Sequence, residues 1–276
     1  MKFSWKDKIA FVTGAGSGIG RALCLELARR GARVTVSDIN EAAAATVAGE
    51  CGPEARSVAL DVRDASAVHH AIQETAKLGG RLDLLVNNAG IAIAGEVQEL
   101  TVAHWDRIID VNIRGVVHGV AAAYPLMVAQ RSGQILNVAS LAGLGPAPLL
   151  TPYSMSKHAV VGLSNSLRIE AAAHGVRLNV LCPSAIETPL LDSKNPSDLP
   201  VIPWHPDARR FLERLAGPTY AVDALARDAL DAAANDEAII VVPSRARFLW
   251  RLGRYFPALV EKGGRDAVAA ERSTRK

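Results

Sequence analysis

Cysteine is scarce in this chain: Cys24, Cys51 and Cys182 are the whole complement. They form no CxxC pair, and no histidines stand at metal-ligand spacing. A disulfide-stapled scaffold and a zinc site are therefore excluded, and the thiols read as buried or incidental groups in a reducing compartment. Long apolar runs are missing too. None approaches the roughly 20 residues of a membrane span, and the opening MKFSWKDKIAFVTG passes straight into a strand without an apolar leader. A soluble cytoplasmic protein is expected. Charge of one sign is also lacking, since the net charge is only +3 and the positive residues are spread along most of the chain. No nucleic-acid groove is expected on that basis. Internal repeats and an interdomain linker are absent.

What is present fits one large domain. The chain has 276 residues, 49% of them hydrophobic, enough for a substantial core. Short runs rich in Val, Ile and Leu (IAFVTG, RVTVSD, RSVALD, LDLLVNNAG, GQILNVAS, VRLNVLCPS and AIIVVPS) alternate with longer Ala-rich segments. Strands that are apolar throughout suit a parallel sheet covered on both faces. Segments such as GIGRALCLELARRG and ASAVHHAIQETAKLGG end on Gly31 and on Gly79 and Gly80, as helices do. The alternation predicts right-handed βαβ units: a doubly wound, Rossmann-type, mostly parallel α/β sheet of seven strands, helices on both faces, in a single domain over residues 1–244. Two stretches break the rhythm. A Pro-, Asp- and Ser-rich loop over about 189–218 is long enough to be a lid or binding loop. Residues 245–276 form an extension, expected to be helical at first and frayed over its last dozen residues.

After the first strand comes VTGAGSGIGRAL. Ile19 stands where a GxGxxG turn has its third glycine, so the pattern present is TGxxxGxG: Thr13, Gly14, Gly18 and Gly20. Glycines here let backbone amides approach a pyrophosphate at a helix N-terminus, and Gly20 lets the helix pack closely on the sheet. Asp38 ends the second strand, where a carboxylate accepts from the adenosine ribose hydroxyls and repels a 2′-phosphate. Neither Ile39 nor Asn40 is basic, and Ser17 stands where a cation would otherwise rescue a phosphate. NAD is therefore expected as cofactor, NADP being the less favoured one.

TPYSMSKHAV places Tyr153 and Lys157 four residues apart, on one face of a helix. A free phenol titrates near 10, and a nearby ammonium lowers that value, so the lysine is expected to tune the tyrosine. Ser140 follows the fifth strand, at the carboxyl end where open α/β sheets bind ligands. Taken in order, TGxxxGxG, NNAG at Asn87–Gly90, Asn112 in NIRG, Ser140 and YxxxK identify the chain as resembling the short-chain dehydrogenase/reductase superfamily over roughly Lys6 to Ser244. The resemblance implies a catalytic set of Asn112, Ser140, Tyr153 and Lys157, with Asn112 kinking its helix and holding a water that links Lys157 to solvent. It implies cofactor contacts by Gly14, Ser17, Gly18, Ile19 and Gly20; by Asp38; by Asp61 and Val62 at the adenine; by Asn87, Asn88, Ala89 and Gly90; by Tyr153 and Lys157; and by Pro183, Ile186 and Thr188 near the nicotinamide. Pro183-Ser184 departs from the family's usual Pro-Gly.

Candidate substrate-facing residues are Leu141, Leu144, Leu149, Leu150, Leu190 and Trp204, nearly all apolar. A hydrophobic secondary alcohol or ketone is expected, with no metal. The histidines at 69, 70, 104, 118, 158 and 174, and the pair Arg168 and Glu170, read as helix-packing or surface groups. Small residues on the helix from Tyr153 (Ala159, Gly162, Ser166, Ala171) suit close packing on a second copy, and the family's habit is a homodimer or homotetramer. The extension mixes Phe248, Trp250, Tyr255 and Phe256 with four arginines. It suits a subunit contact or, less favoured, a membrane surface.

Overall fold

The seven apolar runs form one sheet in the computed structural model, which describes residues 4–275. The strands are β1 (Ile9–Thr13), β2 (Arg33–Asp38), β3 (Arg56–Ala59), β4 (Leu84–Asn87), β5 (Gly133–Val138), β6 (Val176–Pro183) and β7 (Ile239–Val242). Their order is 3-2-1-4-5-6-7 and every pairing is parallel. Neighbouring residues of a strand face opposite layers, and here both layers are apolar. Ala10, Val12, Leu84, Val86, Leu136 and Leu181 pack into one core, while Phe11, Leu85, Ile135 and Leu178 pack into the other. That is why the strands read as continuous apolar runs rather than alternating ones.

The first layer comprises α1 (Gly18–Arg29), α2 (Glu41–Cys51) and α8 (Val222–Ala234). The second comprises α3 (Ala65–Gly79), α5 (Gly115–Gln130) and α6 (Thr151–Ala172). Local chemistry sets the ends: Asp64 accepts from the Ser66 and Ala67 amides to start α3, and Gly80, at φ +74°, stops it. A short α4 (Val102–Ile109) runs through a π turn at Asp110–Arg114 into α5. The combined helix Val102–Gln130 is long and apolar enough, by length and composition, to cross a membrane. This differs from the expectation of no such run, because the helical register joins shorter apolar stretches across the polar turn. Ala122, Ala123 and Met127 of this helix are buried against the sheet.

Arg168 is not the surface charge expected. Its guanidinium pairs with Asp236 at 2.8 Å and also donates to the Leu178 carbonyl, clamping α6 to the turn before β7.

Beyond β6 lie α7 (Ala208–Ala216), which gives the expected lid loop a helix of its own, then α9 (Ser244–Tyr255) and α10 (Pro257–Arg272). The chain's end is thus ordered helix through Arg272 rather than frayed. Tertiary ion pairs hold it: buried Glu271 with Arg210 at 2.5 Å, and buried Glu96 with Arg272 at 2.5 Å. Ala267 packs with Phe211 and Leu149 in a small separate core.

Candidate active site

The carboxyl ends of β1, β4, β5 and β6 open into one cavity of about 1840 Å³. Its floor is the glycine turn. Gly14 sits at φ +60°, and a Cβ there would meet the Ala89 Cα at 2.6 Å. The turn can therefore lie this close to the β4 loop only as glycine. Asn88 fixes the approach by donating to the Thr13 and Gly14 carbonyls at 2.9 and 2.8 Å, while Thr13 Oγ1 accepts from the Asn88 and Ala89 amides at 3.0 Å. Ser17 makes no side-chain cap on α1, and with Gly18 and Ile19 it lines the cavity.

Gly20 does not reach the cavity. A Cβ on it would meet the Gly14 carbonyl oxygen at 2.3 Å and Asn88 Nδ2 at 2.5 Å. It packs α1 closely onto the turn and does not line the cavity. We expect Gly20→Ala to lose about 3 kcal/mol through overpacking, a fall in Tm of roughly 6–12 °C for a chain of this size, measured by thermal unfolding.

At one end of the cavity Asp38 accepts from the Gly16 and Asn40 amides, each at 2.9 Å. Asp61 and Val62 line it as well. Asp61 is gripped by Arg63 at 2.6 Å, and that fork holds its carboxyl below the usual range. Arg63 and Arg107 both line the cavity, each already paired, Arg107 with Asp198 at 2.5 Å. Sequence reading missed both arginines, because nothing local marks them as converging here.

At the other end, Ser140, Tyr153 and Lys157 line the cavity together. Ser140 accepts from the Ala142 amide at 3.1 Å and hydrogen-bonds the Tyr153 hydroxyl. Lys157 is buried; it donates to the Val138 carbonyl at 2.9 Å and lies 5.6 Å from the centre of the Tyr153 ring. Burial lowers the lysine to about 8. Burial also raises Tyr153 above its ordinary value, and the opposing downward influence comes from the Ser140 hydrogen bond. Lys157 is not among the causes of that shift; its ammonium is engaged by the Val138 carbonyl.

Asn112 stands in the π turn between α4 and α5. It is fully buried and outside the cavity lining. Its Oδ1 accepts from the Ile91 amide at 2.9 Å, and its Nδ2 donates to the Ile91 carbonyl and to Ser156 Oγ, both at 3.0 Å. Ser156 in turn donates to the Tyr153 carbonyl at 2.7 Å. The amide thus ties the loop after β4 to the helix carrying Tyr153.

Ala89, Gly90, Pro183, Ile186 and Thr188 line the cavity as expected, as do Leu141, Leu144, Leu150 and Leu190. Leu149 and Trp204 do not. Leu149, at φ +62°, turns away into the core built on Phe211, and Trp204 packs there too, with the Arg275 guanidinium 5.7 Å from its ring. Their places are filled by side chains no local signal pointed to: Leu212 and Leu215 of α7, Leu249, Trp250 and Leu252 of α9, and Val260 and Val268 of α10. The extension is a wall of the site. No cluster of metal-ligating side chains exists among the described residues.

A family model described as short chain dehydrogenase matches residues 8–199. An uncharacterized oxidoreductase of Staphylococcus aureus is 34% identical over 215 residues, 78% of this chain and 93% of that protein. Among solved structures, a short chain dehydrogenase/reductase from Burkholderia phymatum in complex with NAD superposes with a TM-score of 0.84 at 30% identity, covering 93% of this chain and 96% of that one. The 3-ketoacyl-(acyl-carrier-protein) reductase of Brucella melitensis, complexed with NADH, gives 0.77 at 32% identity, covering 88% and 100%.

Proposed function

Since the chain belongs to the short-chain dehydrogenase/reductase family, and so to its oxidoreductases, we propose that it transfers a hydride between NAD(H) and a hydrophobic secondary alcohol or ketone. The observation that carries the reading is the convergence of Ser140, Tyr153 and Lys157 on a cavity whose further walls are apolar.

The residues present fit a dinucleotide. Gly14 lines the cavity at a close approach to Ala89 that only glycine allows, the first turn of α1 has no side-chain cap, and Asp38 closes the far end. Gly14, Ser17, Gly18 and Ile19 would hold the pyrophosphate, Asp38 the adenosine ribose, Asp61 and Val62 the adenine, and Asn88, Ala89, Gly90, Pro183, Ile186 and Thr188 the nicotinamide half. When bound, the oxidised nicotinamide supplies the hydride acceptor and a positive charge that draws the phenol of Tyr153 down toward neutral pH. Tyr153 takes the hydroxyl proton of the alcohol, or returns it to a ketone. Ser140 holds the substrate oxygen beside that phenol. Lys157 hydrogen-bonds the ribose next to the nicotinamide, and Asn112 keeps the helix of Tyr153 in register with the β4 loop.

A screen of alcohols with NAD, followed by the near-ultraviolet absorbance of reduced nicotinamide, tests this. Apolar secondary alcohols should turn over, and a panel in which only small charged hydroxy acids reacted would refute it. NAD should bind at least about tenfold more tightly than NADP, because the Asp38 carboxylate faces where a 2′-phosphate would lie. Asp38→Ala should narrow that ratio, read by fluorescence titration with each reduced cofactor. A homo-oligomer is also proposed: α6 leaves Gly162 in open space and Met155 and Ile169 exposed, a surface on which a second copy can seat.

A further inference from the structure

The corner where α9 meets α10 combines three observations. It exposes large apolar side chains: Phe248 is 66% exposed, Tyr255 79%, Phe256 57% and Leu259 57%. It concentrates cations. Between Ser244 and Asp266 stand Arg245, Arg247, Arg251, Arg254, Lys262 and Arg265 against only Glu261 and Asp266, a surplus larger than the +3 of the whole chain. Arg251, Arg254 and Lys262 are exposed and make no ion pair among the described residues. Finally, Leu249, Arg254 and Leu259 are exposed on this corner and also line the catalytic cavity, so the corner is the cavity's rim.

We propose that this corner seats on an anionic lipid surface, the aromatic side chains entering the headgroup region, and that the cavity takes its alcohol or ketone from the lipid. The substrate class is thereby an apolar, membrane-dissolved carbonyl or carbinol, a conclusion that rests on the reading of the previous section. Apolar side chains flanked by unpaired arginines are the composition that binds such a surface. A second copy is the competing occupant. A two-fold contact brings the same patch of both chains together, which would set the cation surplus of each against that of the other. It would also stopper the cavity. Neither cost arises on a negatively charged bilayer, where an apolar substrate would pass from lipid to cavity without crossing water.

Flotation of the full chain with vesicles tests this. It should float with phosphatidylcholine–phosphatidylglycerol vesicles, release as salt rises, and stay unbound with phosphatidylcholine alone. Arg251→Gln should weaken vesicle binding about fivefold, and Phe248→Ser with Phe256→Ser at least about tenfold. Tm, oligomeric mass and turnover of a water-soluble carbonyl should stay unchanged in both variants, while kcat/KM for a substrate presented in vesicles falls in step with binding. Failure of the full chain to float with anionic vesicles would overturn the proposal. So would a change of oligomeric mass in the aromatic variant, which would assign the corner to a second copy. A chain that floats as described but turns over no apolar carbonyl would leave the surface standing and overturn only the catalytic reading.

Discussion

Tyr153→Phe is expected to lower kcat by about 10²- to 10⁴-fold, the usual worth of a positioned general acid or base, and to leave the fold intact. Tyr153 packs against the small cluster of Ala94, Ala147 and Leu150, contacts that phenylalanine keeps. Ser140, which loses a partner, still accepts from the Ala142 amide. Stability should therefore change by no more than about 1 kcal/mol, the net worth of one hydrogen bond, and NAD affinity should be nearly unchanged. Single-turnover kinetics, thermal unfolding and cofactor titration on one preparation separate the three quantities. Full turnover in a folded, NAD-loaded Tyr153→Phe variant would end the catalytic assignment.

Lys157→Met should give the opposite pairing, a less active but sturdier protein. Burial lowers Lys157 from an ordinary 10.5 to about 8, so between those values the unfolded chain binds a proton that the folded chain does not. Stability contributed through this group therefore rises with pH from about 8 to 10.5. Below that window the buried ammonium costs its full amount, roughly 3 kcal/mol at about 1.4 kcal/mol per unit. Methionine fills similar space without a charge to desolvate, less the hydrogen bond to the Val138 carbonyl. At about pH 7 the variant's Tm should rise by several degrees, the gain should shrink toward about pH 10, and kcat/KM should fall at least about a hundredfold. A variant both inactive and destabilised at neutral pH would show that the ammonium's contacts outweigh its desolvation. A buried lysine retained at a net cost is what a functional group looks like in a stability profile.

The parts of this architecture legible in the sequence are those governed by neighbours in the chain. Seven strands, the glycine turn, Asp38 at the end of β2 and the four-residue spacing of Tyr153 and Lys157 each follow from local periodicity or from short-range backbone geometry. What escaped is direction and distance. Leu149 and Leu150 are adjacent and equally apolar, yet only Leu150 faces the cavity, because the positive φ of Leu149 turns its side chain away. Gly20 belongs to the same motif as Gly14 but, unlike it, does not line the cavity. The extension's place in the site depends on Arg272 reaching Glu96, 176 residues earlier. Its basic and aromatic pattern suggested a contact with something outside the chain, whereas one of its faces packs on the chain itself.

That long-range closure sets a schedule. Synthesis runs from the amino terminus, and sheet and glycine turn can assemble as they emerge, whereas the arginine that neutralises Glu96 is made 176 residues after it. A nascent or carboxy-terminally clipped chain can thus own a complete nucleotide cradle while its substrate chamber still lacks a side. On the reading proposed above, loss of α10 by nicking would leave the dinucleotide cradle whole and open one wall of the cavity, a lesion invisible to an assay that scores cofactor retention alone.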